Sequence, residues 1–489
     1  MKKSHISTKK LTVLFVWLSV TLAYLVYRHT SDVLHATAET VWIASVVTVS
    51  LYIFSFVMWC VYTKKVFSIY FVFLVYCFLF NAGEIVIGIF DTTFTAEINI
   101  YMEYSSSLLM KMMLFQCDGV LAMTLGSVLA YRPEPYKSRE DLPDLRRKRN
   151  MLSITDVLFI AFSLCLIVVY LREVALRGTS SYGDYYYGER EGISIPLLFA
   201  FHVCMYKVLV EHERDLVSKF AMLINVVITA MMLMVGSRNA MLQILFGSIF
   251  ILFYVRKNKL TLSFVKVVVL IIAGLIGIVL MTGIQGLRGY SLSEISWDTI
   301  ARVYEGGFEE SITDALAQMG GSARCLLKTM NMIDVGAVQS EQTILYAFIK
   351  GFVLLPFLNL FGIKEPINLS LATWITNEAG SEFGWGYSIL AEAYYDFEEL
   401  GFLYLFVWAF VFVWLEGKAL TLIKRERSWE GCALIYVLAY GIFISRADFT
   451  LMTSRIRYCF YMFVACYLFR QFFKSRKPPY VLPKEEKPA

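Results

Sequence analysis

The chain has 489 residues, 58% of them hydrophobic and only 17% charged, with a formal net charge of +5 and a mean hydropathy of +0.60. A soluble chain carries nearer ~25% charged residues. Here the apolar residues fall in blocks long enough to cross a ~30 Å hydrocarbon layer, which excludes a soluble fold. The blocks lack the short alternation of a membrane barrel strand, and the basic residues are dispersed among loops, which leaves no nucleic-acid surface.

Taken in chain order, apolar runs predict about twelve transmembrane helices, at 11–27, 41–62, 66–88, 104–130, 153–172, 196–211, 219–236, 240–255, 262–283, 400–416, 432–447 and 456–470. The first run follows Lys9 and Lys10 but has no small-residue cleavage site, so it reads as an uncleaved helix. Basic loops belong on the cytoplasmic side. With both ends inside, that side receives Lys2, Lys3, Lys9 and Lys10, the run from Arg132 to Arg149, Lys418 to Arg427, and Arg470 to Lys487. The chain therefore divides into an N-terminal bundle of about nine helices (1–283), a long outward segment (284–399), C-terminal membrane helices (400–473) and a cytoplasmic tail (474–489). Residues 344–361 are apolar enough to enter the membrane without crossing it.

The outward segment 284–399 holds fifteen Asp and Glu residues. Residues 294–332 read as amphipathic helices broken at Gly306–Gly307 and Gly320–Gly321, and the glycine-rich run from Glu378 to Ser388 fits either close backbone approach to a ligand or turns. A shorter outward segment, 173–195, interleaves Tyr182, Tyr185, Tyr186 and Tyr187 with Asp184, Glu189 and Glu191, which suits either a sugar face or an aromatic belt.

Arginines stand where they are costly. Arg238 in Gly236-Ser-Arg-Asn-Ala240, Arg288 beyond the 262–283 run, Arg446 in Ile444-Ser-Arg-Ala-Asp448, and Arg455 and Arg457 all fall at the outward membrane boundary. A guanidinium matches phosphate oxygens in bidentate fashion, so such a cluster can hold a pyrophosphate and stabilise it as a leaving group. The plain alternative is snorkelling to lipid headgroups or pairing with acids such as Asp448. Glu392 and Asp396 fall four residues apart on one helical face, where either can accept a proton from a sugar hydroxyl, while Glu398 and Glu399 suit the start of the following helix. The five histidines all lie outside 284–399. The nine cysteines form no CxxC pair, and only Cys325 falls in the long exposed segment, so no metal site or disulfide framework is expected. No phosphate loop, HExxH or GxSxG occurs.

Several pieces, in order, resemble the Wzy group of bacterial oligosaccharide repeat-unit polymerases. They are Val235-Gly-Ser-Arg-Asn-Ala240, Leu354-Leu-Pro-Phe-Leu-Asn359 with Asn368 to Glu378, Tyr387-Ser-Ile-Leu-Ala-Glu-Ala-Tyr394 leading into Gly401, Ile444 to Asp448, and Ser454-Arg-Ile-Arg457. The resemblance covers about 220–470. It departs where this chain reads Asp396-Phe-Glu398 in place of Asn-Phe-Gly, and Lys364 in place of an arginine. The resemblance implies a GT-C-like, metal-independent and cofactor-free glycosyltransferase of the bacterial cytoplasmic (inner) membrane with a periplasmic or extracellular active side. Its substrates would be polyprenyl (undecaprenyl) pyrophosphate-linked oligosaccharides, the growing chain passing onto a new lipid-linked repeat. Membrane lipids, a chain-length regulator and the repeat-unit flippase are the implied partners. On this reading Arg238 and Arg446 engage pyrophosphate, with Arg288, Arg455 and Arg457 in support. Glu392 is the base, with Glu378 or Asp396 as alternatives, and Tyr395 contacts substrate. A flippase or exporter of lipid-linked glycan and a glycan ligase are the competing readings.

Overall fold

A computed structural model describes residues 8–63, 68–94, 99–132, 153–179, 195–212, 216–235, 245–252, 290, 294, 296–299, 307–339, 341–352, 370–380, 385–425 and 427–474. Within them the chain is helical throughout and has no strand. The long helices of the N-terminal part are α1 (Thr8–Thr30), α2 (Ala38–Thr63), α3 (Ile69–Phe90), α4 (Ser106–Ala130), α5 (Ile154–Thr179), α6 (Ile195–Glu211) and α7 (Leu216–Met234). Five short helices follow: α8 (Gly307–Gly320), α9 (Ser322–Asp334), α10 (Thr343–Phe352), α11 (Leu371–Glu378) and α12 (Ile389–Phe397). The chain then closes with α13 (Gly401–Lys424), α14 (Ser428–Gly441), a 3-10 turn (Ile442–Arg446) and α15 (Thr450–Lys474). Eight stretches among the described residues are long and apolar enough to cross a membrane, α12 and α13 counting as one. The protein is thus an all-α polytopic membrane protein. The expected runs 240–255 and 262–283 lie outside the described residues apart from a helix at 245–252.

The bundle is centred on α4. Most of its residues are buried, and it packs against α13 through Gly119 and Gly126. A side chain at Gly119 would meet Leu405, and one at Gly126 would meet the Phe406 carbonyl. Lipid supplies no hydrophobic drive between helices, so close backbone approach at small residues takes its place. Polar contacts supply the rest. α1 buries only Val13 and Tyr24, yet three donors seven residues apart tie it to α4. Lys10 Nζ, Trp17 Nε1 and Tyr24 OH donate to the carbonyls of Leu129, Leu121 and Leu114, each at 3.0 Å. The 7-residue spacing keeps all three on one seam.

The N-terminus of α3 has its free N–H groups met by side chains. Ser68 Oγ accepts from Phe71 N–H at 3.0 Å, and the buried Glu416 of α13 accepts from Tyr70 N–H at 3.1 Å. Toward its C-terminus α3 is crossed by α8, with backbone nearly touching backbone. A Cβ on Gly83 would lie 2.5 Å from the Leu316 carbonyl, and Gly320 faces the backbone of Glu84. This crossing seats the short helices on the bundle end formed by the C-termini of α3 and α14 and the N-termini of α4, α13 and α15. Residues 344–361 enter this arrangement as α10, whose ten residues reach only ~15 Å at 1.5 Å per residue and so do not span a bilayer. The remainder of that stretch lies outside the described residues.

Gly83→Val is expected to force α8 off α3 and to destabilise the protein by about 1–3 kcal/mol, the usual cost of overpacking. Thermal unfolding in detergent, followed by near-ultraviolet circular dichroism, checks this. A wild-type melting curve would count against the crossing.

Candidate active site

Short helices in an apolar setting leave N–H and C=O groups that no water can satisfy, and three carboxylates meet this need. Asp396 on α12 accepts from Thr343 N–H (3.1 Å), Thr343 Oγ1 (2.7 Å) and Ile344 N–H (2.7 Å), and so caps α10. Glu392, one turn earlier, places both oxygens on Phe449 N–H, at 3.0 and 2.8 Å, where α15 begins. Asp448 accepts from Ala372 N–H at 3.0 Å, starting α11, and from the Thr450 hydroxyl. Glu392 is fully buried, and Asp396 and Asp448 nearly so. The four-residue spacing does set Glu392 and Asp396 on one buried face, each oriented toward a different helix. Tyr395 is buried between them, 5.4 Å from the Trp374 ring. Glu378 alone of the three sequence-derived base candidates is exposed, at the end of α11.

The basic residues occupy the same end. Arg446 closes the 3-10 turn with its guanidinium carbon 5.3 Å from the Phe80 ring centroid. Its carbonyl accepts from Tyr387 N–H at 3.1 Å. Gly386 adopts φ +75°, and a Cβ there would come within 2.9 Å of that carbonyl, so only glycine fits. Arg455 lies 3.9 Å over the Tyr440 ring and donates to Leu451 O and Ser454 Oγ. Arg457 donates to Lys350 O at 2.7 Å, among the last carbonyls of α10. Both Arg455 Nε and Arg457 Nε are buried without a hydrogen-bond partner. Arg238 and Arg288, with Lys364 and the tyrosines at 182–187, lie outside the described residues.

Three residues escaped the sequence reading. Glu84, wholly buried in α3, accepts from Arg324 Nε of α9 at 2.6 Å. Its signal was present, since Glu84 is the one acid in the 66–88 run and an ionisable residue inside a span is a functional candidate by default. Its partner lies 240 residues away and could not be read from spacing. One turn further along α9, Lys328 Nζ stands 5.6 Å from the Trp385 ring and donates to Glu378 O at 2.7 Å. Cys325, expected in the exposed segment, is instead fully buried on the face of α9 that meets Gly386, and burial pushes its thiol up to about 12.

Among the described residues no group of three or more His, Cys, Asp or Glu is placed to hold a metal ion. Arginines and aromatic rings lie where short helices cover one end of a polytopic membrane bundle. The chain matches the family model of the O-antigen polysaccharide polymerase Wzy over residues 12–477, and it belongs to that family. Its function is accordingly the polymerisation of oligosaccharide repeat units, which in this family are lipid-linked. No curated protein and no solved structure matches it.

Two measurements check the site as described. Asp396→Ala removes all three acceptor contacts at the start of α10 and is expected to cost about 1–2 kcal/mol, read as a lowered melting temperature in detergent. Cys325 stays a neutral thiol at pH 8, so iodoacetamide should label it only after denaturation. Equal labelling of the folded protein would show that the face of α9 carrying it is open.

Proposed function

We propose that the protein polymerises repeat units on the periplasmic or extracellular face of a bacterial cytoplasmic membrane, with both termini cytoplasmic and a GT-C-like helical scaffold. The observation that carries this reading is the gathering of Arg446, Arg455 and Arg457 at the bundle end that the short helices cover. The same sequence boundary receives Arg238 and Arg288 by topology. In the proposed reaction a hydroxyl oxygen of the incoming lipid-linked repeat attacks the anomeric carbon at the reducing end of the growing chain. The bond from that carbon to the polyprenyl pyrophosphate oxygen breaks, and the leaving diphosphate carries away the electron pair. Fixed guanidinium groups meet the charge as it develops, without reorganisation. No metal or organic cofactor enters this scheme. A chain-length regulator and the repeat-unit flippase are the proposed partners.

The proton needs an acceptor that substrate can reach. Glu392 and Asp396 are committed to backbone N–H groups and are buried. We therefore assign Glu378 as the base and Glu392 as a positioning residue that sets the first turn of α15, and with it Arg455 and Arg457. Lys328 links Glu378 to Trp385, the neighbour of Gly386, which in turn abuts Arg446.

Deletion of the gene is expected to leave one repeat unit on the surface acceptor. Loss of every repeat would favour a flippase, and loss of attachment with intact polymer would favour a ligase. In purified enzyme Arg446→Ala should lower the polymerisation rate ~10²–10³-fold and Glu378→Gln ~10²-fold or more. Glu392→Gln keeps an acceptor for Phe449 N–H and should cost less than about tenfold. If Glu392→Gln is the more damaging of the two carboxamide variants, Glu392 rather than Glu378 takes the proton.

A further inference from the structure

Arg324 and Arg446 come from different parts of the chain and both reach α3, Arg324 pairing with Glu84 and Arg446 lying over Phe80 one turn earlier. Cys325 Sγ lies 3.8 Å from Gly386 O, and a Cβ on Gly386 would sit 3.6 Å from Arg446 Nε.

Arg324 is also incompletely used. Of its five N–H donors only Nε–H is engaged, by Glu84, and its side chain keeps 14% of its exposure. Among the described residues its two terminal nitrogens have no hydrogen-bond partner. The fully buried Glu84 fixes the fork from behind, which leaves the terminal nitrogens to face a ligand. That geometry, a carboxylate orienting an arginine whose outer edge stays available, suits a planar bidentate acceptor.

We propose that Arg324 is a second guanidinium ligand, beside Arg446, for the diphosphate of the lipid-linked substrate, and that Glu84 is its positioning residue. The inference rests on the reading of Arg446 as a diphosphate ligand and extends it. α9 then supplies part of the site itself, and the crossing of Gly83 with Gly320 becomes the joint that brings Arg324 to Arg446.

The test uses the full-length protein in detergent with inorganic pyrophosphate as the probe, read as thermal protection, alongside the glycan ladder made in cells. Wild type should be protected. Arg324→Lys keeps the charge and the pair with Glu84 but loses the fork, and should need about tenfold more pyrophosphate and build shortened chains. The exchanged pair Glu84→Arg with Arg324→Glu restores the ion pair without returning a guanidinium to α9. It should unfold closer to wild type than Arg324→Ala does, yet stay unprotected. Wild-type protection of the Arg324→Lys and Arg324→Ala variants, with Arg446→Ala unprotected, overturns the role of Arg324 and leaves Arg446 standing. Absence of protection in the wild type itself removes the diphosphate site altogether. Polymer of normal length from the exchanged pair would reduce Arg324 to a structural partner of Glu84.

Discussion

The ends of short helices set the terms for this molecule. A helix of eight to fourteen residues leaves several N–H and C=O groups without partners at each end, and near a bilayer water cannot be relied on to meet them. At the start of α10 and α11, and again where α15 begins, the answer is a buried carboxylate from another element, and the far end of α10 is met by Arg457. The charges also complement the helix dipole, acids at N-termini and a cation at a C-terminus. Asp396 and Arg457 thus hold α10 from both ends, and α12 fixes two helices at once through Glu392 and Asp396.

This arrangement separates two uses of charge that look alike in a linear sequence. Asp448 and Glu392 stand in the same family-like pieces as the arginines, but their oxygens are taken by backbone N–H groups and, for Asp448, by the Thr450 hydroxyl as well. Arg446 lies over the Phe80 ring, and Arg324 is held by Glu84 through Nε alone. Gly386, with its positive φ, makes the closest of these approaches possible by letting the 385–387 segment lie directly against the Arg446 carbonyl. The acidic network is therefore part of the frame, and the working surface proposed above is the basic one.

Polar anchoring also reaches the interior. Asn81 Nδ2 donates to Cys77 O and Ser445 O, and Gln116 Nε2 donates to Asn81 O. These bonds join α3, α4 and the 3-10 turn directly beneath Arg446, so the turn is held from below by amides and from the side by Tyr387. Both amide oxygens remain without partners. That is a costly state for buried acceptors.

Hydropathy and charge alone determined much of this protein. Long apolar runs require helices because a bilayer tolerates no unpaired backbone, and the described helices begin and end close to the runs read from α1 to α7 and from α13 to α15. The expectation that Arg446, Arg455 and Arg457 share one membrane boundary comes from the same reasoning, since the cost of burying arginine depends on depth, and depth follows from position in a run. The spacing of Glu392 and Asp396 was equally plain, but their partners were not. Phe449 and Thr343 lie 57 and 53 residues away, and Arg324 lies 240 residues from Glu84. Which acid caps a helix and which stays open to substrate depends on what lies within 3 Å, and only tertiary packing brings such distant residues to that distance.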